Sequence, residues 1–174
     1  MKKLEDYVLT IPDFPVEGIM FRDITSVIGD ADGLSLAVDE LQKLLIGVEY
    51  DGIVGIESRG FIFGAPLAYR NHKPLLLCRK KGKLPRETEA VSYQLEYGTA
   101  TIEMHRDDVK PGMKLVIVDD LIATGGSAKA ACELVEKLGG KVAKCLFVIE
   151  LKGLNGREVL KDYEVGTVIQ YEGK

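Results

Sequence analysis

At 174 residues, with 46% hydrophobic and 29% charged residues, the chain has the size and composition of one soluble globular domain with a substantial core. A net charge of −4 argues against a general nucleic-acid surface, and no apolar run approaches the ~20 residues of a membrane span. The opening Met1-Lys-Lys-Leu-Glu-Asp-Tyr7 lacks the apolar core of a signal peptide, so a cytoplasmic protein is expected.

Residues 2 to 9 suit a short helix. Ile11-Pro-Asp-Phe-Pro15 then forces an extended passage, because each residue before a proline is pushed out of the α region. Val16 to Phe21 leads into Arg22-Asp23-Ile24-Thr25. Next, Leu34, Val38, Leu41 and Leu45 fall at helical spacing, with Asp30 or Asp32 as the N-cap. Gly52 to Ile56 is a buried strand ending in Glu57-Ser58-Arg59-Gly60, and Phe61 to Arg70 reads as helix. An Arg, a Ser and a Gly where strand meets helix make an anion cradle.

Pro74 to Cys78 is another short strand, ending in Arg79-Lys80-Lys81-Gly82-Lys83. Such a cation run normally means a solvated loop. Here it follows a strand's carboxyl end, where open α/β sheets bind ligands. Residues 82 to 112 break the rhythm: Val91, Tyr93, Leu95 and Tyr97 alternate with Ser92, Gln94 and Glu96, and Ala100, Ile102 and Met104 alternate beyond Gly98. This predicts an antiparallel hairpin approached by Lys83 to Ala90 as a mobile segment. It is either an edge ribbon or a lid over a site. His72 and His105 stand alone in polar company and are expected at the surface. Cys78, Cys132 and Cys145 lie in apolar strands or a helix and read as core thiols, not a disulfide or metal framework.

Leu115 to Val118 is an unbroken apolar run that reads as a strand buried on both faces, stopping at Asp119 and Asp120. Ala123-Thr124-Gly125-Gly126-Ser127 follows, then a helix carrying Ala128, Ala131, Cys132, Val135 and Leu138, capped at Gly139-Gly140. Val142 to Ile149 supplies a second strand, so residues 114 to 149 form one βαβ unit. Leu151-Lys-Gly-Leu lies at that strand's end, Asn155 caps a short helix, and Val165 to Tyr171 is a closing strand.

The βαβ unit sets two chemistries side by side. Thr124 to Ser127 offer backbone N–H groups and hydroxyls at a helix N-terminus, which suits a phosphate. The helix dipole alone gives about 0.3–1 kcal/mol at an exposed site, whereas charge-assisted hydrogen bonds give roughly 1.5–3 kcal/mol each. Carboxylates repel phosphate, so Asp119 and Asp120 must face sugar hydroxyls or Mg²⁺. A phosphate at one end and a diol at the other describe a ribose 5-phosphate. Neither G-x-x-x-x-G-K-[ST] nor G-x-G-x-x-G after a strand is present.

The run Val-Asp-Asp-Leu-Ile-Ala-Thr-Gly-Gly-Ser127 resembles the phosphoribosyl pyrophosphate signature of the type I phosphoribosyltransferases, and most closely that of the adenine phosphoribosyltransferases. Four further stretches are similar, in the same order. Phe14-Pro15 through Asp23-Ile24 resembles the family's base-binding hood, and Glu57-Ser58-Arg59-Gly60-Phe61 its pyrophosphate loop. Arg79 to Pro85 resembles its basic segment, and Ser92 to Gly98 its catalytic lid. The resemblance implies a single α/β domain over 1–174, with a mostly parallel central sheet flanked by helices, a hood over 1–28 and an antiparallel lid hairpin over 82–106. It also implies a strained peptide at Glu57–Ser58, open to the cis form.

By the same resemblance the reaction is adenine plus phosphoribosyl pyrophosphate giving AMP and pyrophosphate, with Mg²⁺ as cofactor, in a cytoplasmic homodimer. Ala123, Thr124, Gly125, Gly126 and Ser127 would hold the 5′-phosphate, and Asp119 and Asp120 the ribose hydroxyls. Ser58, Arg59, Arg79, Lys80 and Lys83 would meet pyrophosphate. Glu96 is the candidate general base. Phe21 and Leu151 would sandwich the adenine, with the backbone of Met20 and the neighbouring Arg22 at its edge; plain core packing is the alternative for these, for Leu151 above all. No residue is assigned as a direct metal ligand. Two rivals remain: an enzyme of this fold acting on xanthine, guanine or hypoxanthine, and a non-catalytic regulator that binds phosphoribosyl pyrophosphate. The wording around Phe21-Arg22-Asp23 disfavours the first, and the absence of room for a DNA-binding domain disfavours the second.

Overall fold

The computed structural model describes residues 1–95 and 97–173. A seven-stranded sheet carries the molecule, built from β3 (Gly52–Ile56), β4 (Leu75–Lys80), β5 (Thr88–Leu95), β6 (Gly98–His105), β7 (Lys114–Ile122), β8 (Lys141–Leu151) and β9 (Val165–Tyr171). Its order is β5-β6-β4-β3-β7-β8-β9. From β4 to β9 every pairing is parallel, and the β5–β6 hairpin joins antiparallel along Arg79 and Lys80 of β4. A separate two-stranded ribbon, β1 (Leu9–Pro12) with β2 (Met20–Asp23), forms the expected N-terminal hood.

Helices cover both faces, as a parallel sheet requires. Along β7, Leu115 and Ile117 pack towards α4 (Gly126–Lys137). Val116 and Val118 pack the other way, against α1 (Thr25–Ile28), α2 (Ala31–Lys43) and α3 (Arg59–Arg70). All four are fully buried, so the apolar run is two alternating faces of one strand. The N-cap of α2 is Asp30, whose carboxylate accepts the amides of Asp32 and Gly33 at 3.0 Å each.

The elements follow the predicted order, with several corrections. β7 does not stop at Asp119 but runs on to Ile122, with Asp119, Leu121 and Ile122 still paired to β8. β4 likewise includes Arg79 and Lys80. Thr88 to Ala90 are not a loose approach to the hairpin but its first paired residues, opposite His105, Met104 and Glu103. His105 is buried: its Nε2 accepts the Arg86 amide at 3.4 Å and its Nδ1 lies 3.4 Å from Asp108. Its hydrogen bond comes from Arg86, 19 residues away, which its neighbours in sequence do not signal. Asn155 precedes the short α5 (Gly156–Val159), yet its side chain makes no cap; the residue turns the chain through a left-handed conformation instead. The peptides Glu57–Ser58 and Phe14–Pro15 are both cis. The three cysteines are free and buried.

Helix α3 sits unusually close to β7. A Cβ on Gly60 would lie 2.6 Å from the carbonyl oxygen of Val118. Glycine to alanine inside an exposed helix stabilises by about 1 kcal/mol, whereas forcing atoms into a packed site costs about 1–3 kcal/mol. The second effect wins here. Gly60→Ala is expected to lower the thermal midpoint by several degrees, at about 2–4 °C per kcal/mol for a domain of this size. A raised midpoint in calorimetry would contradict the close approach.

Candidate active site

Parallel pairing brings three strand ends level: Ile56 lies beside Cys78, and Gly55 beside Val118. Past them opens a cavity of about 360 Å³. Its wall takes Ile56, Glu57, Ser58 and Arg59 from the β3–α3 turn and Cys78 and Lys80 from β4. Asp119 and Asp120 come from β7, Ser127 from the start of α4, and Tyr93 and Ile102 from the hairpin. Lys137 of α4 ties the hairpin down through the Ala90 carbonyl at 3.2 Å and Glu89 at 3.1 Å.

Charge in this cavity is largely paired. Arg59 donates Nε to Asp120 at 2.5 Å; this bond and the Asp120 charge raise its pKa further. Its side chain is still 58% exposed, which leaves other guanidinium donors for a ligand. Asp119 differs. Burial first, and the adjacent Asp120 carboxylate second, push its carboxyl well above the usual range. Burial also raises Glu57, but the Lys80 amide at 2.8 Å and the Arg79 guanidinium at 3.2 and 3.3 Å outweigh it, so the carboxylate is held low. The Cys78 thiol, pushed up to about 12 by burial and by Asp119 and Glu57, stays protonated and is no nucleophile.

The loop into α4 has the geometry of an anion site. Gly125 adopts φ 84° and ψ 0°, a left-handed conformation that favours glycine. The first helical bond runs from Lys129 N–H to the Gly125 carbonyl, so the amides of Gly126, Ser127 and Ala128 precede the helical ladder.

A second cavity, of about 380 Å³, adjoins the first, and Arg59 and Asp120 line both. Its wall is mainly apolar: Gly18 to Thr25 of the hood on one side, Leu121, Leu151 and Leu154 on the other. Phe21 is braced edge-on by Phe14, with ring centroids 5.0 Å apart. The Arg22 guanidinium stacks over Tyr171 at 4.0 Å and donates to Thr10, so its head is held against β1 and β9 while the residue itself lines the cavity.

The structure thus gathers Met20, Phe21, Arg22 and Leu151 around one cavity and Ser58, Arg59, Lys80, Asp119, Asp120 and Ser127 around the other. Ala123 to Gly126 form the turn that leads to Ser127. Arg79 is engaged by Glu57, and Lys83 is exposed on the turn after β4. Glu96 lies outside the described residues. Sequence reasoning gave no role to Glu57 or Tyr93. Glu57 meets a partner 22 residues away, which no local pattern signals. Tyr93 stands in the sequence as an apolar position in an alternating strand and within the lid-like stretch, with no role of its own.

The phosphoribosyl transferase domain family matches residues 31–172. An adenine phosphoribosyltransferase of Agathobacter rectalis is 64% identical over 174 residues, the whole of both chains. The crystal structure of the adenine phosphoribosyltransferase of Thermoanaerobacter pseudethanolicus superposes with a TM-score of 0.92 at 46% identity, covering 97% of this chain and 100% of that one. The Saccharomyces cerevisiae enzyme, crystallised with adenine and an imino-altritol bisphosphate, superposes at 0.88 with 39% identity, covering 95% and 96%. The chain belongs to the phosphoribosyltransferase family, among the adenine phosphoribosyltransferases.

Proposed function

We infer that the chain transfers the 5-phosphoribosyl group of phosphoribosyl pyrophosphate to adenine, giving AMP and pyrophosphate. The observation that carries this reading is the pair of cavities with a common wall: a polar one for the sugar pyrophosphate and an apolar one for a flat base, meeting at Arg59 and Asp120. The bound adenine and bisphosphate of the yeast relative are in keeping with it.

In this reading the amides and hydroxyls of Ala123 to Ser127 take the 5′-phosphate, and Asp119 and Asp120 accept from the ribose hydroxyls. Ser58, Arg59, Lys80 and Lys83 receive the pyrophosphate, and Arg79 acts through Glu57. As the C1′–oxygen bond to pyrophosphate breaks, positive charge grows on the ribose ring, and the paired carboxylates stabilise it. N9 of adenine then bonds to C1′ and gives its proton to Glu96. Phe21 and Leu151 hold the base between them while the lid hairpin excludes water.

Mg²⁺ belongs to the same proposal. Two of the cationic groups near the cavity are already paired, Arg59 with Asp120 and Arg79 with Glu57, so the protein alone is short of charge for pyrophosphate. Among the described residues no three His, Cys, Asp or Glu side chains gather as a metal site. That suits an ion carried on substrate oxygens, as Mg²⁺ commonly is, with Asp119 and Asp120 near the ribose end. When bound, it would offset charge on the departing pyrophosphate. A cytoplasmic homodimer completes the proposal; among the described residues no helix is long and apolar enough to cross a membrane, and Ile62 and Tyr69 leave apolar surface on α3.

Adenine is expected to exceed hypoxanthine, guanine and xanthine by about 100-fold or more in kcat/KM, since a mismatched buried donor and acceptor pattern is strongly rejected. Pyrophosphate release measured with the four bases checks this, and a preference for an oxopurine would refute it. Glu96→Gln is expected to lower kcat by about 10²–10⁴-fold with phosphoribosyl pyrophosphate binding kept. Unchanged turnover would remove Glu96 from its role.

Asp119 supplies a prediction with a definite sign. Its raised pKa means the folded state binds that proton more tightly than the unfolded chain, so stability falls as pH rises through the raised value. At pH 8 Asp119→Asn therefore melts higher than the wild type. Ribose 5-phosphate binding changes oppositely. The wild type weakens as pH falls below that raised value, beyond the loss caused by protonation of the phosphate itself at a pKa of about 6. The Asn variant binds weakly throughout and shows the phosphate dependence alone. Calorimetric titrations of both proteins across pH decide it; identical profiles would count against a ribose role for Asp119.

A further inference from the structure

The amides that precede α4 need a fixed floor, and α5 supplies it. A Cβ on Gly125 would lie 2.8 Å from the Gly156 carbonyl oxygen, and one on Gly156 would lie 2.6 Å from the Ala123 carbonyl oxygen. The two turns therefore interlock without a side chain between them. Yet α5 spans only Gly156 to Val159, too short to hold itself in place.

What holds it is an ion pair between a buried carboxylate and a half-exposed guanidinium. Glu150, 4% exposed near the end of β8, receives Arg157 in fork geometry at 2.8 and 3.0 Å. Thr167 at 2.9 Å and Gln170 at 3.2 Å donate to the same carboxylate from β9. Arg157 also donates to the Val165 carbonyl at 3.1 Å. Burial opposes the charge on Glu150, and Arg157 and Thr167 hold its pKa below the usual carboxylate range. Nothing in the reaction uses this pair, and it lines neither cavity.

We propose that Glu150 and Arg157 are a positioning pair that sets the shape of the 5′-phosphate loop through Gly156. The inference rests on the assignment of Ala123 to Ser127 as that loop. Arg157 sits next to Gly156, so displacing its guanidinium moves the carbonyl against which Gly125 is packed. The Ser58, Arg59 and Lys80 side of the cavity, built on β3 and β4, does not depend on α5.

The test is calorimetric binding by the full chain of two separate probes, ribose 5-phosphate and pyrophosphate, with steady-state kinetics alongside. Arg157→Ala is expected to weaken ribose 5-phosphate about 10- to 100-fold, the scale set by small misplacements of binding groups, and to leave pyrophosphate within about twofold. KM for phosphoribosyl pyrophosphate should rise more than kcat falls. Arg157→Lys should recover part of the loss, since an ammonium restores charge without the fork. Should Arg157→Ala fail to fold, Thr167→Val, which removes one donor to Glu150, should show the same selectivity more weakly. Equal loss of both probes, or undiminished ribose 5-phosphate binding in a folded variant, would overturn the proposal. A wild type that binds pyrophosphate but not ribose 5-phosphate would instead overturn the loop assignment on which it rests.

Discussion

The bond from Arg59 to Asp120 is the constraint around which the site is arranged. Asp120 is 4% exposed, and a carboxylate so placed must be paired or give up its charge. Its partner arrives at the first residue of α3, and the close approach of Gly60 to β7 is what brings that residue within reach. The pair then forms the wall between the two cavities. It places fixed charges of both signs where a base, a ribose and a leaving group would meet. Losing Arg59 would strand the Asp120 charge in the core, so packing and chemistry constrain the same pair.

The neighbouring acid is placed differently. Asp119 has the Asp120 carboxylate beside it, and Arg59, committed to Asp120, lowers its pKa too little to offset burial. Two adjacent acids on one strand are thereby divided, one hydrogen-bonded to its arginine and one reluctant to ionise. A group that the folded protein destabilises is one that a ligand can relieve, for instance by donating sugar hydroxyls to it. Strain of this kind is characteristic of sites where local folding rules give way to function.

This also explains where the sequence was legible and where it was not. The alternating faces of β7, an aspartate cap on α2 at Asp30 or Asp32, the left-handed turn at Gly139 and the order of the strands along the chain follow from local patterns, and the structure keeps them, with Asp30 as the cap. The end of β7 was misplaced because consecutive aspartates are the usual sign that a buried strand has finished. Here the strand continues, since Arg59 and the cavity take up what the core cannot. His105 departs from its pattern because the segment that covers it, at Arg86, is 19 residues away. The Glu57–Arg79 and Glu150–Arg157 pairs were beyond reach, because each depends on which strands lie side by side and at what register.

The segment from Glu150 to Gly156 draws these threads together. Within seven residues the chain supplies a buried anchor at Glu150, a wall of the apolar cavity at Leu151 and Leu154, and the support of the Ala123–Ser127 turn at Gly156. Past the end of β8 at Leu151 no regular element is long enough to fix its own geometry; a three-residue 3₁₀ turn and the single turn of α5 follow. Such short pieces take their positions from what they are tied to, and β8 and β9 provide the ties through Glu150, Thr167 and Gln170. The wall of one cavity and the floor of the turn before α4 are consequently parts of one small body, and a displacement felt by one is transmitted to the other.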